Sequence, residues 1–182
     1  MKHKSIVLLS IAAMMLLFVS AAPCQTFGSS GNTNLNVTVE AEASLYVSTA
    51  NTALTSTGTL FSDYTGTTNF MYKIRTSKTS GAGNIQLKVT TDFSPSGGPS
   101  VANPPTAGDA LTYSCTVSSP GTPCSGTQTA STTSNTPVGS FGANARSARE
   151  GNSGSVAWTL TNDPLYETGS YSAVVTFTVS AT

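Results

Sequence analysis

Between Leu35 and Val47 every second residue is apolar: Leu35, Val37, Val39, Ala41, Ala43, Leu45 and Val47 alternate with Asn36, Thr38, Glu40, Glu42 and Ser44 in the gaps. A period of two places one row of side chains on each face of an extended chain, so this stretch predicts one long strand, or two joined by a bend, with a buried face and a wet face. The same period returns downstream. Phe70, Tyr72 and Ile74 alternate with Met71, Lys73 and Arg75, and Ile85, Leu87 and Val89 with Gln86, Lys88 and Thr90. Leu111, Tyr113, Cys115 and Val117 predict another strand, Val156, Trp158 and Leu160 a further one, and Tyr171, Ala173, Val175, Phe177, Val179 and Ala181 the last. Weaker alternation marks residues 59–62 and 138–141.

Between these runs lie SGAGN, SPSGGPSVANPPTAGD, SSPGTPCSG and EGNSGS, rich in the Gly, Pro and Asn that strand connections require. No stretch of ten residues keeps a helical apolar stripe, and ANARSARE, residues 143–150, has room for one helical turn at most. About seven to eight antiparallel strands therefore predict an all-β fold, a single sandwich over residues 25–182 whose two sheets bury one face against each other.

The front of the chain reads differently. MKHK is a short basic start, SIVLLSIAAMMLLFVSAA an uncharged apolar run, and Ala21 and Ala22 are small residues suited to a cleavage site. Together they predict a secretory signal peptide over residues 1–24 and a secreted or cell-surface protein, periplasmic or extracellular. Two other fates fit the same residues. The apolar run has the length of a bilayer span, so it would also serve as a retained anchor, and Cys24 in AAPC stands where a lipid-modified cysteine would.

Loss of the leader changes the charge and the available chemistry. Lys2 and Lys4 leave with it, so six basic residues face eight acidic ones. No basic field for nucleic acid or anionic lipid is expected, and no membrane insertion once the signal is cleaved. His3, the only histidine, is lost as well. Without imidazole the mature chain has no Ser-His-Asp or Cys-His arrangement, no neutral-pH imidazole base and none of the common zinc sites. With 9% charged residues, its surface must be covered mainly by Ser, Thr, Asn and Gly, as in many extracellular β proteins and fibre subunits.

Cysteine usage fits an oxidising compartment. Cys115 and Cys124 flank TVSSPGTP, whose two prolines and glycine allow the chain to fold back, so a disulfide is expected there. Two free thiols fit less well, because Cys115 has the buried parity of its strand while Cys124 lies in a polar turn. Cys24 would be left over, or removed with the leader.

GSYSAVVTFTVSAT, preceded by AWTLTNDPLYET, resembles the end of secreted bacterial immunoglobulin-like or pilin-like β-sandwich surface proteins, in which Gly-x-Tyr opens the final core strand. The resemblance covers about the last 30 residues and implies that Gly169 and Tyr171 fill those two positions, with Trp158 and Phe177 in the core. The tyrosine of such folds forms a corner by bonding back to upstream backbone. In leader, size, Thr and Gly richness and closing strand the chain is similar to spore-coat-U-like and chaperone-usher pilin subunits. Those usually carry their disulfide near the N-terminal strand, whereas here it falls mid-chain. Trp158-Thr159-Leu160 and Phe177-Thr178-Val179 resemble, more distantly, the paired motifs of WxL surface domains, with too short an interval between them.

Other candidate sites read more simply as structure. Glu40 and Glu42 share one strand face, where carboxylates ~6 to 7 Å apart would suit acid/base work on a glycosidic bond. Asn36, Thr38 and Ser44 share that face, so solvated strand explains them. Asp163 and Glu167 in NDPLYE carry oxygen ligands suited to calcium but lack EF-hand spacing, which leaves a turn. Tyr46, Tyr64, Tyr72, Tyr113 and Tyr166 are spread over strands and loops rather than set out as a sugar platform. Asn36-Val37-Thr38 is an N-glycosylation sequon, of consequence only in a glycosylating host.

The sequence thus predicts a non-enzymatic structural or adhesion protein of the surface or extracellular space, without cofactor or metal. Its expected partners are copies of itself through edge strands, or another surface polymer. The alternative is a monomeric binding module using the segments 94–109 and 125–136, and the least expected a carboxylate-based glycan-active enzyme. The two leading readings divide on whether the strand from Leu35 to Val47 packs within its own domain.

Overall fold

Nine strands organise the computed structural model, which describes residues 28–182. They are β1 (Glu42–Val47), β2 (Tyr64–Arg75), β3 (Gly83–Ser94), β4 (Leu111–Val117), β5 (Thr122–Pro123), β6 (Gln128–Thr129), β7 (Thr136–Phe141), β8 (Asn152–Leu160) and β9 (Ser172–Ala181). One sheet has the order β1-β2-β8-β4-β6 and the other β5-β7-β3-β9, with every pairing antiparallel. The fold is a β-sandwich. Its compact unit spans Thr38–Thr182; residues 28–37 fall in a separate unit and carry no strand. The expected leader and Cys24 lie outside the described residues.

The parity of the alternating runs becomes the core. Phe70, Tyr72 and Ile74 of β2 face Ile85, Leu87 and Val89 of β3, joined by Leu111, Tyr113, Val138, Val156, Trp158 and Leu160, all buried. Aromatic rings fill the space between the sheets, with Tyr72 5.1 Å from Phe141 and Tyr113 5.3 Å from Trp158 between centroids. Their polar tips are satisfied, as burial demands. Trp158 Nε1 donates to Thr68 Oγ1 at 2.9 Å, the Tyr113 hydroxyl to the Pro137 carbonyl at 2.9 Å, and the Tyr72 hydroxyl to the Ser118 carbonyl. Gly154 of β8 lies opposite Phe70, whose ring occupies the space a side chain would need: a Cβ there would sit 2.3 Å from it.

Two sequence expectations are corrected. The alternation from Leu35 becomes strand only at Glu42, because Glu42 pairs with Arg75, the last residue of β2, and Thr76 turns away to bond Ala145. With its neighbour at an end, the chain before Glu42 has nothing in this sheet to pair with. Residues 59–62 form a turn closed by Ser62 N–H on the Thr59 carbonyl, which leaves Leu60 and Phe61 exposed. Residues 143–150 hold no helix; they carry turns and an isolated bridge between Arg75 and Arg146.

Candidate functional site

A β-sandwich leaves two long edges where the sheets end, and the unpaired backbone there is available for pairing with another strand. On one side β5 and β6 flank the opening. Cys115 of β4 is joined to Cys124, which follows β5 and donates its N–H to the Val138 carbonyl in β7. That disulfide ties the two sheets together at this edge. The residues involved are those expected from the sequence, and a disulfide is compatible with an oxidising, extracellular or periplasmic setting. Among the described residues no helix is long and apolar enough to cross a membrane.

The opposite side is bounded by β1 and β9, which lie alongside one another across the sandwich. Each has only one paired neighbour, β2 and β3 respectively. The inward row of β9, from Val175 through Phe177 and Val179 to Ala181, packs on the core yet stays only partly buried, as do Ala43, Leu45 and Val47 of β1. Phe177 reaches Phe70 at 5.8 Å between centroids. In the adjoining β3, the register partners Leu87 and Val89 are 1% exposed. This edge therefore presents partly covered apolar rows on two strands, each paired on one side only.

The same chain carries a second feature of matching chemistry. Leu35, Val37 and Val39 are 92%, 85% and 62% exposed, although their alternation is that of a core strand. Three bulky aliphatic side chains in one row are an unfavourable exposure, since burying each is worth roughly 1.5 to 3 kcal/mol. The expectation of one long strand, or two joined by a bend, from Leu35 to Val47 did not foresee this division between a packed part and an exposed part. The division is set by where β2 ends, which the local alternation does not record.

The remaining candidates are placed as follows. Trp158 is buried, and Phe177 is half-buried at the β9 edge. Gly169 is exposed, which removes it from the core; Tyr171 is half-buried, covers Gly98, and donates its hydroxyl to the Glu167 carbonyl at 2.7 Å, four residues upstream. Glu42 meets Arg75 at 3.2 Å, while the Glu40 backbone carbonyl accepts from Arg75 Nε at 2.7 Å. Tyr72 and Tyr113 are core residues and Tyr46 is exposed, so the tyrosines make no common platform.

Asp163 is buried and held by protein donors, the Thr106 hydroxyl and the Leu165 N–H, which keep its carboxyl below the usual range. Partial desolvation and the Asp163 charge push Asp109 up, and the Tyr166 hydroxyl at 3.3 Å from Asp109 is raised by burial and by that carboxylate. The Glu167 carboxylate lies against Gly97, and among the described residues no three acidic, His or Cys side chains gather as a metal site would require.

One organising residue was not singled out from the sequence. Asp92 accepts from the Phe93 and Val101 N–H groups at 2.8 Å each, from Ala102 N–H at 3.0 Å and from the Ser100 hydroxyl at 2.7 Å. Burial opposes its ionisation, but these four donors prevail and hold the carboxyl low. It fixes the start of the 94–109 segment.

The chain matches no family model, no curated protein and no solved structure.

Proposed function

We propose that the protein is an exported structural subunit of a surface or extracellular assembly, in which the exposed segment around Leu35, Val37 and Val39 of one copy adds as a strand to the β1/β9 edge of another. The observation that carries this reading is the pairing of deficits within one chain. A half-covered apolar row lies on unpaired strand edges, and an alternating apolar segment lies exposed a few residues before β1. Strand addition would supply backbone hydrogen bonds to the edge and bury both apolar rows at once. The likeness in leader, composition and closing strand to spore-coat-U-like and chaperone-usher subunits supports the same mode. Assembly of this kind requires no catalysis, cofactor or metal.

A second reading has one observation in its favour. The Asp92 network gives the 94–109 segment a defined start, as a monomeric binding module would need of a contact loop.

The test is the mass in solution of the full chain, expressed through an oxidising secretory route, by light scattering over a tenfold concentration range. Growth into oligomers is expected, with loss of growth on deleting residues 28–40 while cooperative unfolding persists. A monomer at every concentration would overturn the assembly reading and leave the module.

A further inference from the structure

The described charges are segregated along the sandwich. Tyr64 of β2, Leu160 of β8 and Leu111 of β4 stand in register, which brings Asp63, Asp109 and Asp163 to one end of the domain. The bond between Glu167 N–H and the Gly97 carbonyl brings Glu167 and the end of β3, with Asp92, to that same end. None of the basic residues of the sandwich lies there. β2 rises ~3.3 Å per residue, so its other end is ~36 Å away. That end holds Lys73, Arg75, Lys78, Arg146 and Arg149 against Glu40, Glu42 and Glu150, and Lys88, within β3, is the one remaining cation of the domain. A shallow cleft of about 390 Å³ between β1 and the 146–149 turn gathers four of these cations around Glu42.

Resting on the strand-addition reading, we infer that copies join head to tail, the basic end of the copy that gives the segment against the acidic end of the copy that receives it, with the segment antiparallel to β9. β9 runs from the acidic end, where Ser172 pairs with Ser94, to the basic end, where Ala181 pairs with Gly83. A segment antiparallel to β9 enters the receiving copy at the basic end and leaves at the acidic end. Two residues, Glu40 and Ala41, then separate Val39 from Glu42, the first residue of β1, at the giving copy's basic end. Three extended peptide steps span at most ~11 Å, so with Val39 beside the Ser172 end of β9 the two ends come into contact. Parallel insertion would instead press two basic ends together. Opposite poles steer the encounter and suppress the wrong sense, and a contact between unlike ends repeats without closing, as a fibre requires.

The charge pattern is tested by reversing it. Growth of the full chain is followed by light scattering at ~20 mM and ~300 mM salt, where screening shortens the reach of these charges from roughly 20 Å to roughly 6 Å. Arg146→Glu/Arg149→Glu should slow growth at least tenfold at low salt, as should Asp63→Lys/Glu167→Lys. At ~300 mM salt both variants should return to within threefold of the parent, because screening removes the altered charge contact, which separates polarity from local damage. Growth that depends on residues 28–40 but ignores reversal and salt overturns the polarity and leaves strand addition standing. Growth that survives deletion of residues 28–40 overturns strand addition, and a monomeric parent overturns both.

Discussion

The two long edges of the sandwich are finished in different ways. At the β5/β6 edge the sheets are tied covalently through Cys115 and Cys124, and the neighbouring core residues Val138 and Tyr113 are 0% and 1% exposed. At the β1/β9 edge β1 is held to the neighbouring β2 by its ladder and a single solvent-facing ion pair, and the apolar rows of both edge strands remain half-covered. One edge is tied covalently and the other is held by backbone pairing and side-chain packing alone. Stability should therefore be concentrated on the closed side, and assembly on the open one.

The largest expected effect is on the closed side. Replacing both cysteines by alanine opens a loop of sequence separation 9. In the loop-entropy account this costs about 2 to 3 kcal/mol, read as a lower midpoint in urea with the slope nearly unchanged. Reduction of the disulfide, like the double substitution, should leave strand addition at the far edge intact in whatever fraction remains folded. If reduction abolished assembly without lowering stability, the division of roles between the two edges would be wrong.

A matched pair of substitutions compares interior and edge directly. Val89 of β3 and Val175 of β9 are register partners of identical chemistry, one 1% exposed and the other half-buried. Val89→Ala should cost about 2 kcal/mol through lost burial and a cavity, and Val175→Ala under about 1 kcal/mol in the monomer. In the assembled state the second cost should rise toward the first, because the incoming segment would cover Val175. Equal costs in the monomer would show that the β9 edge is already closed.

The same pair explains what was legible in the sequence. Period-two alternation identifies which face of a strand turns inward, and on that basis the strands of the core and their buried rows were readable, as was the Cys115–Cys124 tie. Alternation does not record depth. Val89 and Val175 sit in indistinguishable patterns, and only the strand order, with β3 inside and β9 outside, separates them. The start of β1 was hidden for a related reason, since it depends on where β2 ends some thirty residues later. Asp63, Asp109 and Asp163 are scattered in sequence, and the register of β2, β8 and β4 gathers them at one end. Residues 59–62 went the other way: apolar Leu60 and Phe61 suggested a strand, but the hydrogen bonds of Ser62 with Thr59, Ser56 and Gly58 stabilise a turn instead.

The smallest expected effect probes how loosely the open edge is held. Arg75 reaches Glu42 at 3.2 Å with both side chains well exposed, and the same guanidinium donates from Nε to the Glu40 carbonyl. Exposed pairs of this kind contribute little, because solvent screens the charges and two long side chains lose rotamer freedom to meet. Glu42→Gln should lower stability by at most about 0.5 kcal/mol, measured by denaturant midpoint, and less still in high salt. Hydrogen exchange is the sharper probe. The β1 amides that bond to β2 should exchange faster in the variant, while those of β8 and β4 keep their protection, because β1 has a single neighbour and its release exposes only the half-covered Ala43, Leu45 and Val47. Uniform loss of protection across the sheet would mean that β1 unfolds only with the whole domain, and that the open edge is as firmly built as the closed one.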